Sequence, residues 1–174
     1  MSKTEFLKEQ IIEARAFVNR LMSELPEDWW YTIPEGTDSN FIWQVGHLLV
    51  SQNFHTLTAV TGVNEKVGRF IPIHEYNRLF NGMGTLHRSL EKGLIPVPEL
   101  RRQLEMVQDI CLDSLDKLND EDLHEKLEPL PFKHPIAETK YEALSWSFKH
   151  EMWHSAEMEE IKRSLGYPIV WMKA

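Results

Sequence analysis

Leu7, Ile11, Ala14, Val18, Leu21 and Leu25 follow one another at alternating four- and three-residue steps near the start of the chain. That spacing puts them on one face of an α-helix, with polar residues on the other. A Ser2-x-x-Glu5 box is suited to opening this helix, and Pro26 ends it. A second helical stretch begins near Asp38 or Ser39, either able to cap, and runs to Gly62. A third starts at Pro98, with an apolar seam of Leu100, Leu104, Val107, Cys111, Leu115 and Leu118. The fourth opens on a second box, Thr139-x-x-Glu142, and stops at Gly166 with Pro168 beyond.

Strand signals are almost absent, since no run of alternating β-branched residues persists. The expected fold is all-α: a four-helix bundle with a long connection between helices two and three, forming a single domain over residues 1–174. The long connection lets the third helix start from either end of the bundle. Within it, weak helical patterns lie around His74 to Phe80 and around Thr85 to Lys92. The stretch Glu128-Pro129-Leu130-Pro131-Phe132 must be extended or turning, because each proline disfavours helix before it.

Composition narrows the classes of function. The chain has 42% hydrophobic and 26% charged residues and a net charge of −8, with no basic face visible. Nucleic acid and anionic membranes are therefore not expected partners. No apolar run approaches the roughly 20 residues needed to cross a bilayer. The single cysteine excludes an intrachain disulfide, and the N-terminus does not resemble a signal peptide, so the cytoplasm is the expected location.

Two polar stripes interrupt this apolar patterning. On helix two, Asn40, Gln44, His47 and Ser51 form a line with apolar residues on both sides, and Gly46 would let a neighbour approach closely. On helix four the line is Ser147, His150, His154 and Glu157, bounded by Leu144, Phe148, Met152, Trp153 and Ile161. Imidazoles on an inward face are costly unless they are paired or coordinate an ion. His150 and His154 lie one turn apart, the usual way a helix offers two nitrogens to one transition metal. A catalytic zinc takes a third protein ligand, for which His47 is the candidate. Glu151, about 100° round the helix from His150, is either the general base or an outer-face carboxylate. Gln44 and Glu157 are candidates for orienting the imidazoles.

Other readings of these residues are weaker. His150-Glu151-x-x-His154 matches the zinc-protease signature, but Glu157 stands where the extended motif needs Gly. A di-iron site would pair Glu121–His124 with Glu151–His154, yet the first pair lies past the apparent end of helix three, and helix two offers no Glu. His55, His74, His87, His124 and His134 have no partner at useful spacing and are expected at the surface, although His55, two turns beyond His47, could line the cavity. Cys111 is expected to pack as a small hydrophobe. Trp153 would wall the site, while Trp29 and Trp30 would cover a bundle end or join a dimer contact.

Gly-His-Leu in the second helix, His-x-x-x-His in the fourth and the closing Leu-Gly-Tyr-Pro together resemble the DinB/YfiT-like superfamily of metalloenzymes. The resemblance covers nearly the whole chain, including the long connection. It implies a four-helix bundle, often a homodimer, in which His47, His150 and His154 hold a divalent ion, zinc or nickel. Such a centre with an open position would serve a metal-dependent hydrolase acting on a small molecule. The resemblance also suggests transfer of a low-molecular-weight thiol, and a non-catalytic metal- or ligand-binding bundle is the third reading.

Overall fold

The computed structural model describes residues 1–81 and 88–168, whose regular elements are helices with no strand among them. Two isolated bridges, Ser39 to Arg88 and Lys126 to Thr139, fasten loops. The helices are α1 (Lys3–Glu24), α2 (Phe41–Gln52), α3 (Ala59–Thr61), α4 (Glu65–Phe70), α5 (Ile73–Phe80), α6 (Val97–Leu115) and α7 (Lys140–Ser164). A π-helical segment, Asn53–Thr58, joins α2 to α3, so the backbone stays helical from Phe41 to Thr61. The long helices pack on one another: α1 against α7 and α6, and α2 against α6 and α7.

Local chemistry explains the helix ends. Both expected capping boxes form: Ser2 with Glu5 at α1, and Thr139 with Glu142 at α7. Asp120, from the loop after α6, accepts from the backbone N–H of Lys3 and Thr4 at 3.0 and 2.9 Å, quenching two further free donors at the start of α1. Gly62 ends the second stretch and Gly166 the last, both with positive φ. The cap of α2 differs from expectation. It is Asn40, whose side chain accepts from Trp43 N–H at 3.2 Å and is clamped to Leu90 by two more bonds. Asp38 is occupied elsewhere, receiving a bond from Arg88 at 2.9 Å.

The α6 seam packs as its spacing predicts, with Leu100, Leu104, Val107, Cys111 and Leu115 buried and Leu118 half-buried. Each fully buried large apolar side chain contributes about 1.5–3 kcal/mol. α2 is buried at every position except His47, so it is the central helix. Gly46 is what lets α5 lie on it, because a Cβ there would stand 2.3 Å from the Phe80 ring. Of the two weak helical patterns, that near His74 is α5. The other is not borne out over residues 88–92, which are not helical, and its remainder, with His87, lies outside the described residues.

A polar knot crosses this core. Arg15 of α1 pairs with Glu151 of α7 and also donates to Gln52 of α2 at 2.9 Å and to the Leu104 carbonyl of α6 at 3.2 Å. Both charged residues are buried, at 3% and 2% exposure. One guanidinium thereby bonds partners on three other helices.

Candidate metal centre

His47 projects from α2, and His150 and His154 from α7, where the two helices pack together. One nitrogen from each ring lies within 4.8 Å of the other two. His47 Nε2 stands 3.4 Å from His150 Nε2, which stands 3.2 Å from His154 Nε2. His150 and His154 are buried and His47 is partly so.

Hydrogen bonds at the opposite nitrogens settle two of the tautomers. His47 Nδ1 is 2.7 Å from the Phe80 carbonyl, which can only accept, so the proton is on Nδ1. His154 Nδ1 is 2.7 Å from Gln44 Oε1. The Gln44 amide nitrogen donates to Ser39 Oγ at 2.9 Å and to the Glu157 carboxylate at 2.8 Å, which fixes the amide with its oxygen toward His154. His154 therefore also donates from Nδ1. Two Nε2 lone pairs consequently face the same small space as His150 Nε2. A single His150 proton can satisfy only one of them, and among the described residues Ser51 Oγ, 3.3 Å from His47 Nε2, is the hydroxyl beside them.

This donor set fits a divalent cation. Zinc–imidazole bonds of about 2.0–2.1 Å at tetrahedral angles put ligand nitrogens about 3.3–3.4 Å apart. The protonation states fit as well. Burial, then the neighbouring His154, push His47 down to about 4. The same two causes, with His47 added, push His150 down to about 2. Both rings are thus neutral near pH 7, as ligation requires.

The surround is built to hold the rings. Burial alone would raise the Glu157 carboxyl, but the neighbouring His154 ring, Arg88 and Gln44 outweigh it and bring it to about 2. Arg88 reaches Glu157 through one nitrogen at 3.0 and 2.7 Å, and Asp38 holds the other end of the guanidinium. Gln44 and Glu157 therefore lie where an orienting role needs them. Trp43 stacks flat on His47, with centroids 4.9 Å apart and planes 6° from parallel.

Several residues stand away from their expected places. Glu151 is turned into the core, where both its oxygens bond to Arg15. Its position round the helix from His150 aims it at α1, and its paired carboxylate is not free to accept a proton at the imidazoles. Trp153 and Met152 are 59% and 44% exposed, so they do not bound a closed cavity; Trp153 stands at the rim, 6.0 Å from the His154 ring. Trp30 is buried in the core and Trp29 is exposed. His55 and His134, expected at the surface, are both buried and lie 2.8 Å apart. Glu121 and His124, by contrast, lie past the end of α6 as expected, at an exposed 3-10 turn, and form no second mid-helix pair.

Arg88, the Phe80 carbonyl and the His55–His134 contact carried no usable sequence signal. Their partners are 33 to 79 residues away in the chain and follow no helical spacing. No helix among the described residues is long and apolar enough to cross a membrane. Comparison with curated proteins finds no match. The family model of the DinB superfamily matches residues 10–158, a span that runs from α1 into α7 and includes all three clustered imidazoles, and the chain belongs to that superfamily.

Proposed function

We propose that this protein is a metal-dependent enzyme of a small-molecule reaction, built as one four-helix-bundle domain, with His47, His150 and His154 as the ligands of a divalent ion. The observation that carries this reading is the pair of unprotonated Nε2 atoms turned toward a third imidazole nitrogen at 3.4 and 3.2 Å. Zinc and nickel both suit an all-imidazole set. When bound, such an ion supplies Lewis acidity toward an oxygen or sulfur atom at an open position. The chain's own part is positional. The Phe80 carbonyl and Gln44 hold two rings in the ligating tautomer, and Arg88 anchors Glu157 beside them.

Hydrolysis is the reaction such a site serves most directly. One observation favours thiol transfer as a second reading: both Glu151 oxygens are bound to Arg15 and Glu157 is held by Arg88 and Gln44, so neither of these carboxylates is free to take a proton from water. A thiol, with an ordinary pKa of about 8.5, needs less help to ionise than water does. Cys111 is not that thiol, because burial pushes it up and it is sealed in the core.

Elemental analysis of untagged protein tests the centre. Wild type is expected to carry about one divalent ion per chain, and His47→Ala, His150→Ala and His154→Ala to lose it. Variants that kept the parental metal content would refute the triad. An ester, amide and phosphoester panel, run with and without a small thiol, separates the two chemistries. Turnover in water alone supports hydrolysis, and turnover only with thiol supports transfer.

A further inference from the structure

His55 and His134 lie outside the three-imidazole cluster, and the reading above leaves them without a task. Both are buried, which is costly for imidazoles unless their polar atoms are satisfied. Their hydrogen bonds run in one direction. The backbone N–H groups of Ile136 and Ala137 both donate to His134 Nδ1, at 3.2 and 2.8 Å. That nitrogen is an acceptor, so the His134 proton is on Nε2. Nε2 is 2.8 Å from His55 Nδ1 and donates to it. The His55 proton must then be on its own Nε2, which has no hydrogen-bond partner among the described residues.

The backbone brings this ring beside the cluster. On a continuous α-helix, His55 would lie about 80° round from His47. His55 falls instead in the π-helical segment Asn53–Thr58, whose wider turn takes up part of that angle. Its ring stands 5.5 Å from that of His150 at 63°. Phe54 stacks on both His134 and Phe132, packing the 132–134 loop against this segment. A π turn, a backbone-capped histidine and an aromatic stack thus fix the His55 ring beside His150.

We propose that His55 is the hydrogen-bond donor that recognises an acceptor oxygen of the small molecule bound at the three-imidazole centre, with His134 as the positioning residue that sets its tautomer. The ligand class is a carbonyl or carboxylate compound. The inference rests on the metal-centre reading, and the test keeps the two apart. Long-range ¹H–¹⁵N spectra of the metal-free protein report the tautomers directly, with His55 and His134 both expected as Nε2–H. Calorimetry on zinc-loaded protein then uses acetate as the probe and ethanethiol as a control lacking an acceptor oxygen. His55→Phe should weaken acetate about 10–100-fold, the size of one hydrogen bond to a charged acceptor, and leave zinc and ethanethiol binding unchanged. His55→Gln, which keeps an N–H donor, should recover part of the loss. His134→Ala should weaken acetate too and mix the His55 tautomers.

An Nδ1–H tautomer at His55, or unchanged acetate affinity in a folded His55→Phe, would overturn the inference. Zinc uptake with unchanged acetate binding overturns this inference alone. A wild type that takes up no zinc overturns the metal-centre reading and this one with it.

Discussion

Glu151 and His150 are neighbours in sequence and face different worlds. A helix turns about 100° per residue, so one side chain reaches the imidazole cluster while the next enters the core. There Glu151 meets Arg15, and removing one partner of such a buried pair leaves an uncompensated charge. Arg15→Met is expected to cost about 3–5 kcal/mol in denaturant unfolding, and Arg15→Met/Glu151→Leu to recover most of it. Metal content should not change in the double variant. If Glu151 instead served the ion's chemistry, replacing it in that stabilised background would abolish turnover. Gln44 belongs to the opposite class, because it touches a candidate ligand. Gln44→Leu removes the acceptor that holds His154 and should weaken zinc about 10–100-fold with little effect on folding, measured by competition with a chelating dye.

Among the elements, α2 is the most completely buried and packs on α5, α6 and α7. Its glycine sits under an aromatic ring of α5, and Phe80 also supplies the carbonyl that fixes His47. Packing and site geometry are therefore joined at one contact. Gly46→Ala should lower stability by about 1–3 kcal/mol through overpacking, read by thermal unfolding, and should weaken metal binding by displacing Phe80. An unchanged melting temperature would show that Phe80 moves aside freely. The π-helical segment has a similar double role: it keeps the chain helical to Thr61 while re-aiming His55. Its position was not visible in the apolar spacing, since α2 before it is buried on nearly every side.

For the molecule as a whole, buried histidines set the response to acid. In the metal-free protein His47, His55 and His150 are pushed by burial to about 4, 3 and 2, from an ordinary value of 6.5. The unfolded chain therefore binds these protons first. Stability is fully present above about pH 6.5 and falls as pH drops toward these lower values. Glu157, held at about 2 against an ordinary 4.5, acts in the same direction but only below pH 4.5. Denaturant unfolding of metal-free protein should show a decline beginning between pH 6.5 and 4.5, before any carboxylate contributes. Bound metal should delay it, because protons and the ion compete for the same nitrogens. A flat profile across that interval would mean the imidazoles are not buried neutral.

The four long helical stretches and the starts of α1 and α7 were legible in the chain because apolar spacing, capping boxes and terminal glycines are local, each signal lying within a turn or two of what it specifies; α4 and the cap of α2 were not. The two polar stripes were legible for the same reason, and His47, His150 and His154 stand on them within 4.8 Å of one another. Whether a residue beside a stripe joins it depends on what lies across the interface. Arg15 drew Glu151 inward, Leu90 made Asn40 the cap in place of Asp38 or Ser39, and the loop at Ile136 and Ala137 buried His134 against His55. These outcomes turn on partners many residues distant, and spacing along one helix holds no record of them. Folding alone brought those partners within hydrogen-bond reach, where desolvation makes each unpaired polar atom costly enough to choose the arrangement.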